Sequence, residues 1–254
     1  MSIILREHEY AENAIKTNSM GAKPCDTLRI VSRYYIDKGY KSKEVKKLMD
    51  EFVIRCDPCV SLVKWDKRIN DAIKYAEKHK AINVDYISIT KSEIKIIDGL
   101  NRKPLKRLAF TLLCIAKFWM SVNETCNWWI KDTNNDIMKM ANINTSIKRQ
   151  SEMYSYLREI GLIEFSKRVD NTSVRVCFHS DDEEAMRISD FRNLGYQYLM
   201  YHGEPYFECE SCGIVTKVNN VSSKKPQRYC TKCATEIKIK QRVNSVMKQR
   251  KCDF

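Results

Sequence analysis

Four cysteines near the C-terminus constrain the fold of this chain more than any other feature. They form two Cys-x2-Cys pairs separated by 17 residues: Cys209, Cys212, Cys230 and Cys233. Two residues between paired cysteines let both thiolates turn onto one ion, and a gap of this length closes as a hairpin that brings the second pair to it. Four thiolates satisfy the tetrahedral preference of Zn²⁺ and leave no position open. The spacing therefore predicts a structural zinc ribbon or knuckle, which cannot activate water.

The alternative for these cysteines is a pair of disulfides, and the rest of the chain argues against it. The 254 residues contain 11 cysteines, an odd number. The stretch from Met1 to Glu7 has only three apolar residues in a row, so no signal peptide is expected. No apolar run approaches the roughly 18 residues of a membrane span. We therefore expect a cytoplasmic protein with free or metal-bound thiols and no membrane partner.

The positive charge of the chain, +13 in total, is unevenly distributed. Residues 101–180 carry a net charge of +6 and residues 205–254 a net charge of +7, whereas residues 181–204 between them carry −4. Basic blocks of this kind attract phosphate backbones. The alternative is a lysine-rich surface without a specific partner, and the charge alone does not decide between the two.

Residues 1–100 have the pattern of a helical N-terminal region. Helices are expected at Glu7–Lys16, Leu28–Gly39, Ser42–Arg55 and Lys67–Lys80, and a capping box at Thr90-Lys91-Ser92-Glu93 opens another. The segment from Leu28 to Ile73, with Gly39-Tyr40, the Ser42 helix and Cys56-Asp57-Pro58-Cys59, loosely resembles the small helical domain found after primase cores in phage and plasmid replication proteins.

Residues 101–180 have a different order of elements. A helix from Pro104 to Val122 is apolar nearly all round, which is typical of a central buried helix. A short strand at 128–130, a helix capped by Thr133 and a second helix at 146–160 follow, and Gly161 ends the second helix. Strands at 162–167 and 173–178 are then joined by a hairpin turn at 168–172.

This order is similar to that of a winged helix. The residues that carry the similarity are Asp136–Ala141, Thr145–Ser151 and Leu157–Ile163, the last closing with Gly161-Leu162-Ile163 before a strand. The stretch resembles winged-helix replication-associated and regulatory proteins of phages and mobile elements of low-GC Gram-positive bacteria. The resemblance covers residues 104–178 and implies a fold more than a biological role.

In helix-turn-helix docking, the N-terminal residues of the second helix contact base edges in the major groove. Ile147, Met153, Tyr154, Leu157 and Ile160 have core spacing, which leaves the opposite side to Ser146, Lys148 and Arg149. We expect Arg149 to contact guanine, and Lys148 and Ser146 to hold phosphate or read a base. The wing would add Lys167, Arg168 and Arg175. The alternative is a winged helix that contacts only protein.

The C-terminal part completes the expected organisation. Residues 181–204 are predicted to be an acidic connecting helix, opened by the capping box Ser180-x-x-Glu183. Residues 205–254 form the zinc module, which continues into a basic helix. That helix carries six cationic residues that could follow a phosphate backbone: Lys238, Lys240, Arg242, Lys248, Arg250 and Lys251. The alternatives are a solvated helix and a disordered tail that orders on binding.

Two smaller features have competing interpretations. Cys56 and Cys59 could be half a metal site or a redox pair, but a helix-ending turn with two incidental thiols fits their context better. Trp128 and Trp129 could stack on nucleobases, although core packing is the simpler explanation.

The sequence as a whole predicts a mainly α protein with small β hairpins. It would bind nucleic acid, in the first place duplex DNA and alternatively RNA, for replication initiation or transcription regulation in a phage or mobile element. It would hold Zn²⁺ and would not be an enzyme. The alternative function is a counter-defence or host-takeover protein that inhibits a host nucleic acid–protein complex.

Overall fold

The computed structural model of the protein describes residues 3–130, 132–166, 173–219 and 226–252. The chain divides into two compact units, Met1–Ile87 and Ser88–Phe254. The described residues are mainly helical with small sheets, as the sequence predicts. The division falls after Ile87, so the helix opened by the Thr90 capping box belongs to the second unit, whereas the sequence pattern groups it with the N-terminal region.

The first unit is a helical bundle. Its helices are α1 (Glu7–Thr17), α2 (Pro24–Asp37), α3 (Ser42–Cys56) and α4 (Leu62–Ala76). Helix α2 contacts the other three and lies at the centre. Helix α4 begins five residues before its predicted start at Lys67, because Leu62 and Trp65 pack against the common core and extend the helix toward its N-terminus.

A buried ion pair joins α1 to α2. The side chains of Glu7 and Arg33 are 2% and 3% exposed, and the Arg33 guanidinium donates to the Glu7 carboxylate. Glu7 also accepts a hydrogen bond of 2.9 Å from the backbone N–H of Ile82, and Arg33 lies over the ring of Tyr75. Burial raises the pKa of Glu7, although the Ile82 N–H and Arg33 act in the opposite direction.

The second unit contains the remaining elements. Its helices are α5 (Lys91–Asp98), α6 (Lys103–Val122), α7 (Asn134–Met140), α8 (Ile147–Glu159), α9 (Leu194–Tyr201) and α10 (Thr231–Cys252). Its strands are β1 (Ile87–Thr90, starting at the boundary), β2 (Trp129–Ile130), β3 (Ile163–Phe165), β4 (Val174–Val176), β5 (Glu184–Ile188), β6 (Tyr206–Glu208) and β7 (Val215–Lys217).

Helix α6 is the core of this unit, as its apolar composition predicts. Eleven of its side chains are buried, including those of Leu108, Phe110 and Leu112. It contacts α5, α7, α8, α9, β2 and β4. A helix that is apolar on all sides has to be covered on all sides, and these elements provide the cover.

Strands β2, β4 and β3 form one antiparallel sheet in that order. Trp129 is opposite Arg175, and Ile163 is opposite Val176. The order of helices and strands from α6 to β4 agrees with the sequence-based prediction. The predicted hairpin turn at 168–172 lies outside the described residues.

The prediction of an acidic helix after Ser180 is wrong. Residues Glu184–Ile188 form β5, which pairs with β1. The backbone N–H of Ser180 donates to the Glu93 carboxylate, which also accepts from the N–H of Thr90. Ser180 is thus tied to the cap of α5 and does not begin a helix. Pairing with a distant strand has overridden the local helix signal.

Candidate metal centre and basic surface

The four predicted metal ligands are brought together by a hairpin and a helix start. Strands β6 and β7 pair antiparallel, and Cys209 and Cys212 lie in the connection between them. Gly213 follows with φ +72°, a left-handed conformation that glycine adopts without strain. Cys230 precedes α10, and Cys233 lies in its first turn.

The geometry of the sulfur atoms fits a single ion. All four Sγ atoms lie within 4.8 Å of one another, and those of Cys212 and Cys230 are 3.9 Å apart. Four sulfurs at about 2.3 Å from a tetrahedral ion are separated by about 3.8 Å. The four cysteines are free thiols in the structure, which contradicts the disulfide alternative.

Backbone N–H groups point at the sulfurs. The N–H of Cys230 donates to Sγ of Cys209 at 3.3 Å, and the N–H of Cys233 donates to Sγ of Cys230 at 3.5 Å. Burial disfavours ionisation of Cys209, but donation from Cys230, Cys212 and Ser211 outweighs it and lowers the pKa of Cys209 to about 6. Burial and the neighbouring sulfurs raise the pKa of Cys212 to about 12. One thiolate therefore forms readily, and a cation would be needed to hold all four together.

Two arginines, Arg192 and Arg228, contact the segments that carry the cysteines, a role that the sequence-based prediction assigned to neither. Arg228 forms an ion pair with Glu210 at 2.6 Å, and the N–H of Glu210 donates to the carbonyl of Arg228. These contacts join the segment that carries the first cysteine pair to the segment that precedes the second. Arg192, itself paired with Asp190, donates to the carbonyl of Cys212 at 2.6 Å. The sequence signal for the Arg228 contact was Glu210, which lies between the first two cysteines, together with Arg228, which lies two residues before Cys230.

Two asparagines link the hairpin to the turn before α8. Asn193 donates to the carbonyl of Val215 on β7, and Asn142 donates to the side-chain oxygen of Asn193. Asn142 occupies the turn between α7 and α8 and also accepts from the N–H of Tyr196 on α9. A Cβ added at Gly195 would lie 2.1 Å from the carbonyl oxygen of Ala141, so α9 and the end of α7 are in close contact.

The start of α8 exposes three of the predicted nucleic-acid residues. Ser146 is its N-cap and accepts from the N–H of Arg149 at 3.4 Å, while the side chains of Lys148 and Arg149 are exposed. The prediction that Ile147 belongs to the core stripe is wrong, since it is 80% exposed. Ile147 and Met153 are six residues apart, which places them about 120° apart around the helix.

The predicted wing residues are only partly described. Lys167 and Arg168 lie outside the described residues. Arg175 lies within β4, between Trp129 and Glu164 in the register, and its guanidinium is 3.3 Å from the Glu164 carboxylate. Its charge is therefore engaged within the sheet and not presented at a hairpin tip.

The basic tail is helical. Lys238, Lys240 and Arg242 are exposed on α10, and Ile239 and Val243 between them are 54% and 48% exposed. The backbone of α10 continues through Lys248, Arg250 and Lys251, whose side chains lie outside the described part of the structure.

The two smaller features with competing interpretations, the Cys56–Cys59 stretch and Trp128, both contact neighbouring residues of the fold. Cys59 is exposed, and its N–H donates to the side chain of Asp57, so the Cys56–Cys59 stretch is a turn that ends α3. Among the described residues, the group that could share an ion is the C-terminal cysteine cluster. Trp128 is neither buried nor free: it stacks on His179 at 3.7 Å and has φ 66°.

No helix within the described ranges is both long and apolar enough to cross a bilayer. Comparison with known protein families, with curated proteins and with solved structures found no match to this chain.

Proposed function

We propose that the second unit binds nucleic acid, in the first place duplex DNA, and that the protein acts in replication initiation or transcription regulation for a phage or mobile element in a bacterial cytoplasm. The observation that carries this proposal is the start of α8. A tight turn presents Ser146, Lys148 and Arg149 to solvent, while the same helix is held to the core by Met153 and Leu157. A helix held along one side with a basic, exposed N-terminus suits insertion into a major groove.

The surrounding architecture supports a winged-helix interpretation. Helices α6, α7 and α8 are followed by the β3–β4 pair, and β2 lies on the other side of β4. In such a fold the second helix of the helix-turn-helix, here α8, enters the groove, and the region between β3 and β4 meets the adjacent backbone.

We propose Zn²⁺ as the ion held by Cys209, Cys212, Cys230 and Cys233. A closed four-sulfur site is structural, so the ion would fold the module and hold the start of α10. Such a site has no position for water or substrate, which favours a binding protein over an enzyme.

The second candidate function is an interaction protein that captures a host nucleic acid–protein complex. The exposure of Ile239 and Val243 among the basic residues of α10 favours it, because apolar side chains in such positions add contact area to a protein interface.

The two functions are separated by measuring the affinity of the zinc-loaded chain for duplex DNA over a range of salt concentrations. Nucleic-acid binding predicts an affinity that falls steeply with salt. The Lys148→Ala/Arg149→Ala variant would weaken it while the fold, monitored by circular dichroism, stays intact. A chain that binds no duplex or single strand at low salt would contradict the first function.

A further inference from the structure

Three arginines, two from the start of α6 and one from the start of α8, line one cleft in the second unit. Arg102 precedes α6, Arg107 lies in its first turns, and Arg149 lies in the first turn of α8. The cleft has a volume of about 410 Å³. That volume falls within the roughly 300–1,000 Å³ that is usual for small-molecule sites.

No ion pair with a described residue neutralises the charges of these arginines. Four other arginines of the second unit do pair with carboxylates: Arg175 with Glu164, Arg187 with Glu184, Arg192 with Asp190 and Arg228 with Glu210. Within the described part of the chain, Arg102, Arg107 and Arg149 have no such partner. Their convergence without an ion-pair partner among the described residues favours an anionic ligand.

Two of the arginines, Arg107 and Arg102, are also held in position. Arg107 donates from Nη1 to the carbonyl of Asn142 at 2.9 Å, and its Nε is buried without an acceptor among the described residues. Arg102 lies over the ring of Tyr156 at 5.9 Å. A guanidinium that is already oriented loses less freedom on binding than one that moves freely in solvent.

Two further features of the cleft bear on the ligand. Thr145 lines it next to the N-terminus of α8, whose first N–H groups have no acceptor within the helix and favour an anion. Glu152 also lines it, and its carboxylate opposes a ligand of the same sign. With three guanidinium groups and one carboxylate, the cleft keeps a net positive charge.

We infer that this cleft binds a phosphate group, with Arg102 and Arg149 on its open side and Arg107 within it. The planar fork of arginine matches the oxygens of phosphate. If the phosphate belongs to a nucleic-acid backbone, this inference rests on the proposed function. In that case Arg149 contacts a phosphate group and not a base edge. A free phosphate compound would use the same contacts.

The test has two arms, both with the full-length, zinc-loaded chain. In the first, inorganic phosphate is titrated by calorimetry at low ionic strength. In the second, duplex DNA is titrated by fluorescence anisotropy, with two unrelated sequences. Both arms compare wild type with Arg102→Gln/Arg149→Gln, and circular dichroism and zinc content report on folding. The control is Arg158→Gln, which removes a charge from α8 at the ring of Phe165, away from the cleft.

We expect one phosphate per wild-type chain and a loss of at least about tenfold in phosphate affinity in the double variant. Both DNA sequences would weaken alike, and the control would change phosphate affinity less than about twofold. A second variant, Glu152→Gln, would bind phosphate more tightly because it removes a repulsive charge.

The outcomes distinguish this inference from the proposed function. If the double variant loses its affinity for inorganic phosphate and no form of the protein binds DNA, the cleft is a site for a free phosphate compound. The proposed DNA-binding function is then contradicted. If wild type shows no saturable phosphate binding, or if the double variant and Glu152→Gln both match it, the cleft is not a phosphate site, whatever the DNA result.

Discussion

Asn142 and Asn193 are 51 residues apart in the chain and are joined by a hydrogen bond of 2.9 Å from Nδ2 of the first to Oδ1 of the second. Both have left-handed backbones, with φ 55° and 56°, which asparagine tolerates better than most residues. Through Asn193 and Val215 the pair connects the cysteine-bearing hairpin to the turn before α8. The candidate metal centre and the basic helix are thus parts of one hydrogen-bonded framework.

Asn193→Ala should destabilise the second unit by about 2 kcal/mol, because alanine loses both side-chain hydrogen bonds and resists a left-handed backbone. Asn193→Gly keeps the backbone freedom and should cost only about 1 kcal/mol. Urea unfolding followed by tryptophan fluorescence measures both, since Trp119, Trp128 and Trp129 lie in this unit. Equal midpoints for Asn193→Ala and wild type would show that the framework adds nothing.

Cys212→Ser should abolish binding of the proposed zinc ion and unfold the C-terminal module, because metal binding at a four-cysteine site of this kind would supply folding energy. Elemental analysis under reducing conditions should find one zinc per wild-type chain and none in the variant. Cys59→Ser is the matched control, since Cys59 is exposed and lies outside the cluster. Wild-type protein without metal, yet folded in this module, would refute the zinc assignment.

Removal of residues 238–254 should weaken binding to all DNA sequences alike. Each phosphate that the shortened chain no longer neutralises should flatten the slope of log affinity against log salt by about 0.9. Anisotropy titrations across a salt series measure the slope, and sequence preference should survive because the start of α8 is untouched. An unchanged slope, together with failure to capture a defined protein partner, would favour the interaction function.

Arg33→Met should destabilise the first unit by about 3 kcal/mol at neutral pH, because the Glu7 carboxylate is left buried without its cation. Burial already raises the pKa of Glu7 from 4.5, and loss of Arg33 raises it further. The folded chain then binds the proton more tightly than the unfolded chain. The deficit should therefore shrink as the pH falls through the folded pKa toward 4.5.

Amide hydrogen exchange across α1 and α2 reports on this unit directly. Arg68→Met removes an exposed cation that lies over Trp65 in the same unit and should change stability by less than about 0.5 kcal/mol. A deficit for Arg33→Met that is the same at pH 5 and pH 7 would mean that the packing of the Arg33 side chain matters more than the charge of Glu7.

Features that depend on local pattern could be predicted from the sequence. Three such features depend only on residues that are close together in the sequence: the apolar run of α6, the caps at Thr90 and Thr133, and the Cys-x2-Cys spacing. The cluster of four sulfurs was predictable because the ligand spacing alone defines it.

Features that depend on distant partners could not be predicted. The capping box Ser180-x-x-Glu183 is a helix-start signal, yet the residues that follow it, Glu184–Ile188, pair as a strand with β1, nearly a hundred residues earlier. Ile147 fits a core spacing in the sequence, but it lies about 120° around α8 from the buried Met153 and is 80% exposed. The cleft of Arg102, Arg107 and Arg149 brings together positions up to 47 residues apart, and no local period marks it.

Helix α10 begins at the cysteine cluster and runs for 22 residues, a length of about 33 Å. Because Cys233 lies in the first turn of α10, the geometry of the cluster sets the direction of the helix axis. A tilt of about 10° at the sulfurs would carry the far end of a 33 Å helix by about 6 Å, close to the 5.4 Å pitch of one helical turn. Small changes in the geometry of the cluster would thus be amplified into a different position of the far end of α10.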